Sequence, residues 1–222
     1  TTDKPAKLKI DVTNMYIEIR QVHVVSSVLN SHIEAWKQRN FLYHINRELT
    51  VHRTMSTGTS GETLSSIFPT SQIPKLLVMT MVRSEAFNGH GQYDPYNFRH
   101  FDLKSAKLII NSIPTPYPNA FEPSWEDCGY MKEYYTLNSI GSESNLCGIT
   151  PFAYANGRFF LVWNLCPDKN LDGAAEIIKS GTVTLELSFG KPLPYAIHVI
   201  FYGVFDNTIE ITHDKDVIRN WV

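Results

Sequence analysis

Residues 181–212, GTVTLELSFGKPLPYAIHVIFYGVFDNTIEIT, decide the fold. Apolar and polar residues alternate over 182–189, and this period of two predicts a strand with one buried face and one exposed face. After a break containing Gly and Pro, residues 196–205 are almost continuously apolar, which predicts a strand covered on both faces. Asp206 and Asn207 predict a turn before a third strand. Three strands in one short stretch indicate an all-β core.

Similar patterns in the rest of the chain predict further strands and short helices. Alternation with a change of phase predicts a long first strand over 8–25, and apolar positions three and four apart predict a helix that begins at Ser26 or Ser27 and includes Trp36. Further strands are predicted at 41–54, 76–82, 108–113 and 158–165. Short helices are predicted at 130–137 and 174–179, and polar loops at 57–66 and 138–148. Together these patterns predict a β-sandwich of about eight strands with short helices in its connections.

Length and composition predict one undivided domain. The 222 residues are 43% hydrophobic and 12% aromatic, which is enough to bury a large core. We expect residues 1–222 to form a single domain with loop insertions near 84–101 and 114–157. Charged residues make up 19% of the chain, below the usage of about 25% in soluble proteins, so part of the surface is expected to contact neighbours. The net charge of −2 includes no basic excess and argues against a specific nucleic-acid partner.

Cysteine usage and the absence of targeting signals predict a protein of the cell interior. Cys128, Cys147 and Cys166 are odd in number and lack C-x-x-C spacing, which argues against a disulfide framework and a structural zinc site. The sequence has no N-x-S/T sequon, no apolar stretch long enough for a bilayer and no signal-peptide apolar region. We therefore expect a soluble protein that is neither secreted nor inserted into a membrane.

The nearest match to a metal site is DKNLDG at 168–173, which resembles the first half of a calcium-binding loop. Position twelve of that loop is Lys179, where a bidentate Glu is required. A cation in place of the main anionic ligand argues against calcium binding, so Asx turns leading into a short helix are favoured.

Three histidines, His32, His90 and His100, are of the residue type that most often binds metals and transfers protons. His32 precedes Glu34 by two residues as in a zinc deaminase, but the P-C-x-x-C partner of that signature is missing. His90 and His100 lie ten residues apart without a matching carboxylate or thiol, and no nucleophile, phosphate or dinucleotide motif occurs. We therefore predict no catalytic, cofactor-binding or metal-binding residues, no cofactor and no enzyme. A jelly-roll enzyme with distant cleft carboxylates is the least supported alternative.

The stretch 84–101 is a long loop with an unusual composition. Its aromatic residues are Phe87, Tyr93, Tyr96, Phe98 and Phe101, and they are interspersed with Gly, Asn, Asp and Pro. Aromatic rings in a loop must pack against something, which is either an edge of the same sandwich or another subunit.

Short motifs between residues 73 and 212 resemble those of one protein family when they are taken together. They are Ile73-Pro74-Lys75, Ala86-Phe87-Asn88-Gly89, Pro95-Tyr96-Asn97-Phe98-Arg99-His100, Tyr154-Ala155-Asn156-Gly157, Asn164-Leu165-Cys166-Pro167-Asp168, Leu185-Glu186-Leu187, Lys191-Pro192-Leu193-Pro194 and Phe205-Asp206-Asn207-Thr208-Ile209-Glu210-Ile211. They resemble L-P-K-R, A-F-N-G, N-P-F-N-F-K-H, Y-A-N-G, D-L-T-P-D, L-E-L, K-P-L-P and F-D-N-V-I-E-I of the major capsid proteins of Polinton (Maverick) elements and adintoviruses. Departures are Cys166 in place of Thr and the polar stretches 57–66 and 138–148.

The resemblance implies a hexon-like double jelly roll, of which this chain resembles the second half. It implies a viral structural protein, a major capsid subunit whose trimers form pseudo-hexagonal capsomers of an icosahedral shell. The implied partners are further copies in a homotrimer, neighbouring capsomers and an N-terminal jelly roll outside this chain. The implied location is the virion capsid, after synthesis inside the host cell. A carbohydrate-binding jelly-roll module, with Tyr93 or Tyr96 stacked on sugars, is the alternative.

Overall fold

The computed structural model describes residues 10–138, 148–166 and 179–219. The helices are α1 (Ser26–Gln38), α2 (Ser84–Phe87), α3 (Met131–Asn138) and α4 (Pro151–Ala155). The strands are β1 (Phe41–Met55), β2 (Gly61–Leu64), β3 (Leu76–Arg83), β4 (Leu103–Ile110), β5 (Ile113–Pro114), β6 (Leu161–Asn164), β7 (Val183–Phe189), β8 (Ile197–Ile211) and β9 (Val217–Arg219).

The described residues fall into two compact units. Unit 1 comprises 10–43 and 209–219, and unit 2 comprises 44–208. Unit 1 contains α1 and the pairing of β9 with the end of β8, while unit 2 contains the hydrophobic core of the sandwich. The single domain expected for 1–222 stays a prediction.

The strand order is that of a jelly roll. One sheet has the order β1-β8-β3-β6, with β9 also paired to β8, and the other has the order β2-β7-β4-β5. Strand 1 therefore pairs with strand 8, 2 with 7, 3 with 6 and 4 with 5, as in one long hairpin. The pairs β8–β3 and β7–β4 then join the rolled hairpin into two sheets, which is the jelly-roll arrangement. The predicted all-β jelly-roll sandwich is confirmed.

The core follows from the apolar patterns of the central strands. β7 alternates as predicted, because Val183, Leu185, Leu187 and Phe189 are buried while the residues between them are partly or fully exposed. In β3 six of eight residues are buried, as expected for a strand covered on both faces. The largest fully buried side chains include Trp163, Tyr154, Phe121, Phe159, Phe201 and Phe205. Burial of these rings removes a large apolar area from water.

The turn predicted at Asp206 is wrong, because β8 continues through it to Ile211. The Asp206 carboxylate accepts a hydrogen bond from Lys75 Nζ at 2.9 Å, and its main-chain oxygen accepts one from Gln72 Nε2 at 2.7 Å. Lys75 Nζ also donates to Asn46 Oδ1 at 2.7 Å. Asp206 thus bonds to side chains distant in sequence instead of to its own backbone, which removes the local reason for a turn.

Two other predictions fail at the margins of the sheets. Residues 10–25 are neither strand nor helix, although a strand was predicted over 8–25. Alternation creates a strand only where a neighbour supplies backbone hydrogen bonds, and no strand of the described chain pairs with this segment. Conversely, the polar stretch 57–66 contains β2, whose pairing with β7 supplies those bonds from Gly61↔Ser188 to Leu64↔Leu185.

The other predicted elements agree with the structure apart from their ends. The helix after Ser26, the helix at 130–137 and the strands at 41–54, 76–82 and 158–165 are present as α1, α3, β1, β3 and β6. The strand predicted at 108–113 begins earlier, at Leu103, and a reversal divides it from β5. Most of the loop at 138–148, the helix at 174–179 and the calcium-like loop lie outside the described residues.

Replacing Lys75 with Met should destabilise the fold by about 3 kcal/mol, because it leaves the carboxylate of Asp206 without its cation in a largely buried site. The Lys75 and Asp206 side chains are only 9% and 15% exposed. Urea denaturation followed by tryptophan fluorescence measures the change. Lys104→Met is the control, since Lys104 is exposed on β4, and an equal effect of both substitutions would contradict the assigned role.

Candidate functional site

The aromatic residues predicted to make contacts lie in the segment that follows β3. The exposed fractions are 39% for Phe87, 37% for Tyr93 and 75% for Tyr96, and Phe98 is half-buried. None of the four is fully buried within the chain. The segment therefore presents apolar ring surface to solvent at one end of the sandwich.

A histidine on β8 anchors the start of this segment. The ring of Phe87 stacks on His198 with centroids 4.3 Å apart and planes 15° apart. Ser84 Oγ lies 2.8 Å from Nδ1 of His198, and Thr54 Oγ1 lies 3.3 Å from Nε2. Burial lowers the pKa of His198, and the neighbouring His52 lowers it further. His198 therefore acts as an uncharged packing and hydrogen-bonding residue at neutral pH.

An arginine between two tyrosines anchors the part of the aromatic segment that contains Tyr93. The guanidinium of Arg83 lies 4.0 Å from the ring centre of Tyr93 and 4.3 Å from that of Tyr195. Arg83 also forms an ion pair with Glu85 at 2.5 Å. Cation–π contacts on both sides hold Tyr93 against the sandwich. Tyr96 has a looser contact, an edge-on approach to Phe98 at 6.5 Å, and is the most exposed ring of the segment.

His100 is a packing residue. Its ring stacks on Trp125 at 3.8 Å, and its Nδ1 accepts a hydrogen bond from the Asp102 amide at 3.0 Å. Burial lowers the pKa of His100 to about 4; the charge of Asp102 opposes this shift and that of Arg99 adds to it. His90 is exposed and packs beside Tyr93 at 4.9 Å. In residues 10–138, 148–166 and 179–219, no three His, Cys, Asp or Glu side chains form a group that could hold a metal ion.

Two open clefts lie near the residues that hold the aromatic segment against the sandwich. One, of about 650 Å³, is lined by residues that include Asp102, Lys104, Glu122, Trp125 and Glu126. The other, of about 490 Å³, is lined by Asp94, Tyr96, Asn97, Phe98, Asn156 and Arg158, together with Gly157 and Phe160. We call the second one the Tyr96 cleft. It combines an exposed aromatic ring with amide, carboxylate and guanidinium groups.

A buried carboxyl group was missed by sequence reasoning. Glu133 on α3 is 1% exposed, and burial raises its pKa. Its Oε2 makes no hydrogen bond to the described residues, and neither does the hydroxyl of Tyr154, which is fully buried. Burial raises the pKa of Tyr154, and the charge of Glu133 raises it further. Nothing in the helical pattern distinguishes Glu133 from a solvated residue, so only tertiary packing identifies it.

Exposed apolar side chains are concentrated in unit 1. Of the twenty-three large hydrophobic residues that are exposed in the described part of the chain, sixteen lie within 10–43 and 209–219. Helix α1 has no buried residue at all. An exposed apolar surface of this extent is typical of protein or membrane interaction sites and of ligand-binding grooves.

Replacing His100 with Asn should flatten the fall in stability between pH 6.5 and pH 4. The imidazole of His100 binds a proton near pH 6.5 in the unfolded chain but only near pH 4 in the folded chain. The wild type therefore loses stability as the pH falls between these values. We expect the variant to lose about 1–2 kcal/mol less over this range, allowing for solvent that still reaches the ring. Urea denaturation at pH 7 and pH 4 measures the difference.

The Asn side chain retains an acceptor for the Asp102 amide. His90→Asn is the control, because the ring of His90 is exposed. Identical pH profiles for the wild type and His100→Asn would show that His100 is not responsible for the loss.

Comparison with known proteins gives one curated relative and several solved structures. No protein-family model matches the chain. Uncharacterized protein F54H12.2 of Caenorhabditis elegans is 21% identical over 227 aligned positions. The alignment covers 96% of this chain and 51% of the relative, so the chain spans about half the length of the curated relative it matches.

Three of the similar solved structures are viral. The mavirus major capsid protein has 8% identity and a TM-score of 0.43, with 82% of this chain and 42% of that chain covered. A chain of the Sputnik virophage has 13% identity and a TM-score of 0.44, covering 82% and 39%. A chain of the PBCV-1 virus capsid has 13% identity and a TM-score of 0.46, covering 82% and 52%. These TM-scores lie below 0.5, so the fold assignment rests on the strand order described above.

No helix in the described part of the chain combines the length and apolarity needed to cross a membrane.

Proposed function

We propose that this chain is one jelly roll of a hexon-like major capsid subunit of the Polinton and adintovirus kind. The observation that carries the proposal is the jelly-roll strand order, β1-β8-β3-β6 facing β2-β7-β4-β5. In the proposed function the subunit forms homotrimers that serve as pseudo-hexagonal capsomers of an icosahedral virion shell. It is made inside the host cell and has a structural role rather than a catalytic one.

The motif resemblance supports the choice of this family among jelly-roll proteins. Pro95–His100 and Ala86–Gly89, two of the matching motifs, form the loop that carries the exposed rings. A jelly roll leaves its loops at the ends of the sandwich, where they contact neighbours without disturbing the core. Tyrosine and phenylalanine are enriched in the buried centres of protein interfaces, which fits the exposed surface of Tyr96.

The exposed apolar surface of unit 1 supports a second partner. In the proposed function this partner is an N-terminal jelly roll of the same subunit, which covers the apolar side chains of 10–43 and 209–219. Neighbouring capsomers are further partners. The proposed function includes no specific nucleic-acid partner and no membrane insertion.

Replacing Tyr96 with Glu should weaken the trimer. We expect the full-length natural polypeptide to be trimeric by multi-angle light scattering, and Tyr96→Glu to raise the dissociation constant by about 30-fold or more, as for loss of an aromatic hot spot. Tyr96→Phe, which keeps the ring, is the control and should remain trimeric. A wild-type protein that stays monomeric at all concentrations would overturn the proposed assembly.

The Tyr96 cleft favours one second candidate, a carbohydrate-binding module. An exposed aromatic ring beside amide and carboxylate groups is suited to stacking on a sugar and bonding its hydroxyls. A glycan array with the monomeric chain tests this candidate, with Tyr96→Ala as the loss-of-stacking variant and Tyr96→Phe as the control. Binding by the monomer that Tyr96→Ala abolishes, together with absence of trimers, would replace the capsid proposal.

A further inference from the structure

Residues 10–25, which we call the arm, expose almost all of their apolar side chains. Met15 is 88% exposed, Ile17 85% and Ile19 77%, and Val22 follows with 75%. The exposed fractions of the apolar residues in the hydrophobic core of unit 2 are below 10%. The arm therefore has the composition of a buried segment and the exposure of a tail.

The period of the arm indicates what it packs against. Apolar residues occupy 15, 17 and 19, and after a one-residue change of phase they occupy 22 and 24. Glu18 and Arg20 lie between them, so an extended arm has one apolar edge and one charged edge. This is the period of a strand with one face in a core, whereas a segment that docks in a groove as a helix repeats every three or four residues. The one-residue shift of the alternation at 20–21 indicates a β-bulge.

A strand also needs a partner for its backbone groups. Where the structure describes the chain, the arm belongs to neither sheet, so a strand partner for it has to come from outside the described residues. The curated relative extends well beyond the region that matches this chain, which covers 51% of its length. The remaining half of that relative is long enough for a second β-domain.

We infer that residues 15–24 are a strand of a second β-domain of the same polypeptide, with Met15, Ile17 and Ile19 facing that domain's core. The arm then joins the two domains by forming part of one and leading directly into α1, which begins at Ser26. This inference rests on the second jelly roll included in the proposed function, but it does not require trimers or capsid assembly.

Methionine oxidation tests the inference, since Met15 is one of five methionines that differ in exposure. Met15 is 88% exposed and Met131 48% exposed, whereas Met55, Met79 and Met81 are fully buried. Hydrogen peroxide oxidises exposed thioethers faster than buried ones, and peptide mass spectrometry gives the rate at each residue. In the 222-residue chain, Met15 should oxidise fastest and the three buried residues slowest.

In the full-length natural polypeptide, Met15 should oxidise at least about tenfold more slowly than in the 222-residue chain. The oxidation rate at Met131 is the internal reference. Ile17→Asn in that polypeptide should restore fast oxidation of Met15 by removing an apolar contact of the same edge. Glu18→Gln, on the opposite edge, is the matched control and should leave Met15 protected.

Fast oxidation of Met15 in the full-length polypeptide would overturn the inference, and so would a natural polypeptide without a second β-domain. Protection of Met15 in the 222-residue chain that increases with protein concentration would assign the arm to a second copy of the chain instead. The proposed function is tested independently, because light scattering on the same samples shows whether trimers form. A full-length monomer with protected Met15 supports this inference while contradicting the proposed assembly.

Discussion

The antiparallel ladder between β3 and β8 is the interaction on which the rest of unit 2 depends. It runs without interruption from Leu76↔Val204 to Arg83↔Ile197, between strands more than a hundred residues apart in sequence. In a jelly roll this pair joins the two arms of the rolled hairpin, so its register determines how both sheets face each other. Phe201 and Phe205 of β8 are among the fully buried rings of the core.

The β3–β8 ladder has a buried ion pair at one end and the start of the aromatic segment at the other. At one end Lys75 bonds to Asp206, whose carboxylate would otherwise be left without a cation in a largely buried position. At the other end β3 leads directly into α2, where Phe87 stacks on His198 of β8. The exposed aromatic segment therefore starts from a rigid point, although its outer rings contact solvent. A rigid base with exposed rings is suited to forming a defined interface with little loss of conformational entropy.

Burial affects the titratable groups of unit 2 in opposite directions. His198, which is buried, and His100, which is partly buried, have lowered pKa values, so their contribution to stability decreases as the pH falls below the value for an unfolded histidine. Glu133 has a raised pKa, so its contribution to stability decreases as the pH rises through the pKa that Glu133 has in the folded chain. Burial of these groups therefore makes opposing contributions to the pH dependence of stability.

Patterns with local causes were predictable from the amino-acid sequence. The alternation in β7, the apolar run of β8 and the helical spacing of α1 each reflect which face of the element is apolar, and that information lies within the element itself. The sequence therefore predicted the all-β class, most strands and the position of the aromatic loop. It also placed Phe87, Tyr93 and Tyr96 on the surface segment where the structure finds them.

Features that depend on a distant partner were decided only by tertiary structure. β2 exists because β7 offers its backbone to a polar stretch, and the arm lacks strand structure because no described strand offers the same to an apolar one. Asp206 lies within β8 and bonds to Lys75, and Glu133 is buried beside Tyr154. Backbone hydrogen bonds and charge burial are properties of pairs of residues, so one segment read alone cannot reveal them.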